Sequence, residues 1–121
     1  MAIPMNIEVL RSYCLSLPEV TEELPFGPDT LVFKVKGKIF LLTSLDSPDL
    51  SFNVKCDPEK AIRLREEYAD VHPGYHMNKK HWNTISITGS IPSETIMLWI
   101  KESYQLVVKG LPKSIQNELK L

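Results

Sequence analysis

The stretch LVFKVKGKIFLLTSL, Leu31 to Leu45, decides the architecture. Leu31–Lys36 and Lys38–Leu45 are two runs of strand-forming side chains, and the Gly37 between them supplies the positive φ that a tight hairpin turn needs. Successive strand residues face opposite ways, so Leu31, Phe33 and Val35 share one face while Val32, Lys34 and Lys36 share the other. One face is apolar and the other basic, as in an antiparallel sheet covered by helices on one side only.

The flanking sequence extends this pattern. Downstream, Ser51–Cys56 alternates again, with Phe52 and Val54 inward and Ser51, Asn53 and Lys55 outward. Asp57-Pro58 is an N-cap and N1 pair, because proline lacks the N–H that has no helical partner there, and the helix it opens should run to about Ala69. Its inward stripe is Ala61, Leu64, the stem of Arg65 and Tyr68. Asp70–Lys80 holds Pro73-Gly74 and no apolar period, which predicts a long loop. Asn83–Thr88 then alternates as a fourth strand, and the same parity puts Trp82 on the outward side with Thr84 and Ser86. The longest helix should start at Pro92 or Ser93 and stop at Gly110, with a short last one within Ser114–Leu121. Upstream, Asn6 caps a first helix that Pro18 ends, and the prolines of Leu17–Pro28 predict an extended connection. The order α-β-β-β-α-β-α describes one domain over residues 1–121. Its class is α+β, a two-layer sandwich with helices on one face of an antiparallel sheet and Lys34, Lys36, Asn53, Lys55, Thr84 and Trp82 on the open face.

Composition narrows the function classes. A 121-residue chain with 43% hydrophobic and 24% charged residues has the makeup of one soluble domain, and its net charge of −1 and pI of 6.3 exclude the footprint of a strongly basic nucleic-acid binder. No apolar run approaches the roughly 18 residues of a membrane span, and two cysteines fit reduced thiols in the cytoplasm. Charge is unevenly spread. Residues 1–30 carry Glu8, Glu19, Glu22, Glu23 and Asp29 against Arg11 alone, whereas residues 71–93 contain no acidic side chain yet hold all three histidines with Lys79, Lys80, Tyr75 and Trp82.

That window, Pro73-Gly74-Tyr75-His76-Met77-Asn78-Lys79-Lys80-His81-Trp82-Asn83, resembles the MmcQ/YjbR family. So do Leu17-Pro18 through Glu22 to Pro25-Phe26-Gly27, Val32-Phe33-Lys34-Val35 with Gly37-Lys38, Cys56-Asp57-Pro58, and Ser103-Tyr104-Gln105-Leu106-Val107. The resemblance spans nearly the whole chain and implies a compact fold of the CyaY (frataxin-like) type. Glu19 departs from it, standing where the family pattern more often has glycine. Members are commonly labelled DNA-binding, and the resemblance assigns no catalytic residues.

The chemistry-bearing residues support a binding role. His72 and His76 are four apart, but Pro73-Gly74 between them opposes a helix and residues 71–93 supply no acidic or thiol ligand, so no metal or other cofactor is expected. No nucleophile elbow, P-loop or dinucleotide fingerprint occurs, which predicts a protein that is not an enzyme. Nucleic-acid binding needs cations for phosphates and flat groups for stacking. Lys34, Lys36, Lys38, Lys55, Lys79 and Lys80 with Tyr75, His76, Asn78, His81 and Trp82 supply both on one inferred surface, so DNA is one candidate partner. A protein partner docked on the same open face is the other, and the near-neutral pI suits it better. Asn78 and Asn83 also suit a purely loop-fixing role for the window.

Overall fold

The structure, a computed structural model, describes residues 5–47, 49–74 and 77–119. Its elements in chain order are α1 (Ile7–Ser16), β1 (Val20–Glu23), β2 (Thr30–Val35), β3 (Lys38–Ser44), β4 (Ser51–Lys55), α2 (Pro58–Glu67), β5 (Val71–Pro73), β6 (Trp82–Ser86), α3 (Ser93–Lys109) and α4 (Lys113–Leu119). The strands form one antiparallel sheet in the order β1-β2-β3-β4-β6-β5. The α+β class stands, and the helices pack on one face.

The caps act where the sequence places them. Asn6 Oδ1 accepts from Val9 N at 2.9 Å, and Asp57 caps α2 by accepting from Lys60 N at 3.2 Å. Three readings need correction. The β2–β3 turn has two residues, since Lys36 (φ 50°) and Gly37 (φ 82°) are both left-handed and form the primed turn that matches strand twist. The connection after α1 contains β1, and the long loop begins with β5, so the sheet has six strands. The last strand starts at Trp82 and ends at Ser86, short of the expected Thr88.

Register fixes the two faces. Leu31 lies opposite Thr43, Phe33 opposite Leu41, Leu41 opposite Val54, and Phe52 opposite Ile85, and these residues face the helices. Leu10, Cys14, Phe33, Phe40, Ile96, Ile100 and Tyr104 complete a core without exposed surface to speak of. A register shift between Phe33 and Lys34 leaves Phe40 as the extra residue of a bulge. The Ser103 hydroxyl compensates for the interrupted ladder, donating to Phe40 O at 2.6 Å and accepting from Lys55 N at 2.7 Å. Its neighbour Tyr104 donates to Pro18 O at 2.6 Å and meets the Phe40 ring edge-on at 5.4 Å. The Ser103-Tyr104 pair thus ties α3 both to the sheet and to the connection after α1.

Candidate site on the open sheet face

On the uncovered face, parity sets Lys34 beside Ile39, Val32 beside Leu42, Leu42 beside Asn53, Asn53 beside Thr84, and Lys55 beside Trp82. Lys34, Asn53, Lys55, Thr84 and Trp82 therefore lie on the face expected of them. Lys36 does not: it sits in the turn, 3.5 Å from Glu118 of α4. Lys38 begins β3 at the hairpin end, opposite Val35 and exposed.

The six lysines do not converge on Trp82. Lys34 is separated from β6 by β3 and β4, a distance of about 14 Å at ordinary strand spacing. It is also spoken for, with its Nζ 3.2 Å from Glu23 on the neighbouring β1. What the fold gathers at the β4–β6 corner is Lys55, Trp82 and the loop bearing Asn78, Lys79, Lys80 and His81. Tyr75 and His76, also expected in the site, lie outside the described residues.

Residues 78–83 are held from beneath by α2. Arg65 Nε donates to Asn83 Oδ1 at 2.7 Å, and its Nη2 donates to Trp82 O at 3.2 Å and to Lys79 O. Asn83, only 1% exposed, donates in turn to Ala61 O of α2 at 3.4 Å. Asn78 Oδ1 accepts from Lys80 N at 2.9 Å, while its carbonyl accepts from His81 N and Trp82 N. Gly74 N donates to Trp82 O, and a Cβ on Gly74 would lie 2.8 Å from Trp82 Cβ. Glycine is needed there for space. Much of the specific string thus shapes a loop, and Arg65, read from sequence as a packing stem, is its principal positioning residue.

That loop forms one wall of a groove. Met77 on one side and Phe26, from the β1–β2 connection, on the other flank a floor of Leu42, Asn53 and Thr84, enclosing a cavity of about 540 Å³. Leu42 is only 9% exposed although no helix covers it, while Phe26 is 65% exposed. Thr84 Oγ1 donates to Asn53 Oδ1 across β4 and β6, so the floor carries a hydroxyl–amide pair between apolar flanks. Phe26 and Met77 were present in the family-like strings, but periodicity offers no way to know that two loops line one groove over β3, β4 and β6.

Among the described residues, no cluster of three His, Cys, Asp or Glu side chains is placed to hold a metal ion, and no helix is long and apolar enough to cross a membrane. The thiols are unpaired: Cys14 is buried in the core, where desolvation pushes it up to about 12, and burial also raises half-buried Cys56.

A six-stranded antiparallel sheet with all helices on one face and a grooved open face defines a small two-layer α+β protein. The chain belongs to the YjbR family, whose model matches residues 15–106. It is 39% identical over 113 residues to YbdF of Escherichia coli O157:H7, covering 93% of each chain, and 31% identical over 109 residues to YjbR of Escherichia coli K12, covering 90% of this chain and 92% of that one. Both relatives are described as uncharacterised. Among solved structures, the Deinococcus radiodurans protein DR2400, of domain family DUF419, matches with a TM-score of 0.93 and 39% identity over 100% of this chain and 93% of that one. A Pseudomonas syringae protein matches with a TM-score of 0.74 and 27% identity over 84% of this chain and 98% of that one.

Proposed function

We propose that the chain is a non-catalytic binding module that receives an extended segment of a partner protein on its open sheet face, within the cytoplasm. The carrying observation is the groove between Phe26 and Met77, whose apolar flanks and Asn53–Thr84 floor suit one large apolar side chain and a few backbone hydrogen bonds. Charge selects the flanks of that segment. Lys55 stands two residues along β4 from Asn53, and Lys79 and Lys80 follow Met77 in the loop, none with a carboxylate partner in any described ion pair, so acidic residues beside the anchor complement them. Addition of a strand at the sheet edge is less well supplied: β1 has four residues with Glu22 and Glu23, and β5 has three and ends in Pro73.

DNA binding, the other expectation, draws support from the same corner, where three lysines adjoin Trp82. Ion pairing of Lys34 and Lys36 reduces the phosphate-facing set, and a groove floored by Leu42 has no use in backbone neutralisation. Selection from a displayed random peptide library distinguishes the two. Sequences carrying one aromatic or large aliphatic residue flanked by Asp or Glu should be enriched, and Phe26→Ala together with Met77→Asp should abolish their binding while the fold persists. Enrichment without that pattern, or binding only to oligonucleotides that collapses with salt, overturns the proposal.

A further inference from the structure

On the opposite side of the sheet, where α2 and α3 diverge over β4 and β6, lies a second cavity of about 160 Å³. Val54, Leu64, Ile85, Trp99 and Leu106 wall it, and Cys56 lies at its side. The lining follows from helical spacing: Trp99, Glu102, Leu106 and Lys109 recur on one face of α3, and Lys60 and Leu64 on one face of α2. Its size is that of an apolar cavity which accepts a single benzene ring, about 150 Å³. Its mouth is polar. Lys60 Nζ contacts both carboxylate oxygens of Glu102 at 2.7 Å, so these charges cancel. Asp57 caps its own helix through Lys60 N. The remaining lining charges are Asp57 and the cations Lys55 and Lys109, neither cation in a described ion pair and Lys109 exposed.

We infer that this cavity is a small-molecule site for a compact amphiphile, a one-ring aromatic or short aliphatic body bearing an anionic head, with the body against Trp99 and Leu106 and the head toward Lys109. The inference is independent of the open-face reading, since the two cavities lie on opposite sides of the sheet. An apolar pocket rewards a ring by removing it from water, and a lining with Lys55, Lys60 and Lys109 against Asp57 and Glu102 carries one net positive charge, which sets the sign of the head.

The probes are phenylacetate and its cationic counterpart 2-phenylethylamine. In a titration of isotope-labelled protein followed by amide and indole NMR, phenylacetate should give saturable shifts at the Trp99 indole N–H and at Cys56 and Leu106, with a dissociation constant of about a few millimolar or lower. It should also slow iodoacetamide modification of Cys56 severalfold. Cys14 does not confuse that readout, because it is fully buried and its thiol is held protonated. Lys109→Glu, a surface change that leaves the fold intact, should weaken phenylacetate about fivefold and favour 2-phenylethylamine. Leu106→Trp, which fills the cavity from a partly exposed position, should abolish both. Absence of a saturable shift with either probe overturns the site, and equal binding of both probes unaffected by Lys109→Glu overturns the ligand class.

Discussion

Glu19 holds φ 61° at the end of the α1–β1 connection. A left-handed conformation costs an ordinary residue about 1 to 2 kcal/mol, whereas glycine adopts it freely and loses roughly 0.5 to 1 kcal/mol of chain entropy on folding. The first term exceeds the second, which explains why the family-like pattern favours glycine at this position. Glu19→Gly should therefore raise stability by about 0.5 to 1 kcal/mol, measured as a shift in urea midpoint at constant slope. Asn83 presents the reverse case. Its amide oxygen satisfies Arg65 and its nitrogen satisfies Ala61 O, all beneath the loop. Asn83→Ala should cost about 2 to 4 kcal/mol, because it leaves a cation and a carbonyl short of partners, and amide exchange should accelerate first in residues 78–82. A stability loss spread evenly over the chain would contradict the positioning role. From sequence Asn83 read as a strand terminus with a polar side chain; alternation already sets it on the face of Ile85, but its partners Arg65 and Ala61 O, on a distant helix, are not readable there.

At the scale of elements, long periodic segments were legible and short ones were not. Both runs of the hairpin, β4, the α2 cap and the span of α3 stand close to their expected places because each carries a full period of apolar residues. β1 and β5, with four and three residues, are too short to display one, and Pro18, Pro25 and Pro73 pointed toward loops. Pairing with β2 and β6 makes them strands, a tertiary effect that local propensity does not contain. The hairpin turn was placed correctly but counted short by one residue. Lys36 occupies a left-handed position that asparagine fills at less cost, and its pair with Glu118 is largely solvent-exposed and worth little. Lys36→Asn should thus stabilise the protein by about half a kcal/mol, read as a higher melting temperature; a drop would show that the Glu118 contact outweighs the turn.

For the whole molecule, the central division is between a helix-covered face and a bare one. On the covered side, Cys14 sets an alkaline limit to stability. Its folded value of about 12 lies above the ordinary thiol range near 8.5 to 9, so its contribution is complete below about pH 8.5 and is lost as pH rises toward 12. Raised values for Cys56, Tyr13 and Tyr104 act in the same direction. Chemical denaturation at pH 8 and pH 10.5 should show this loss, with a shallower decline for Cys14→Ala. On the bare side, alternation along β2, β4 and β6 made the face readable, but not the ion pairs that occupy Lys34 and Lys36 or the groove that Phe26 and Met77 both line. Charge pairing and loop convergence depend on residues distant in sequence, and a single chain read locally gives no distances. The claim that the groove, and not the lysines, is the binding surface is tested most directly by mapping NMR shifts as a library-selected acidic peptide with one aromatic anchor is added at low and high salt. The account predicts shifts centred on Leu42, Asn53, Met77 and Thr84 that persist at high salt. Shifts confined to Lys55, Lys79 and Lys80 that vanish with salt would contradict it.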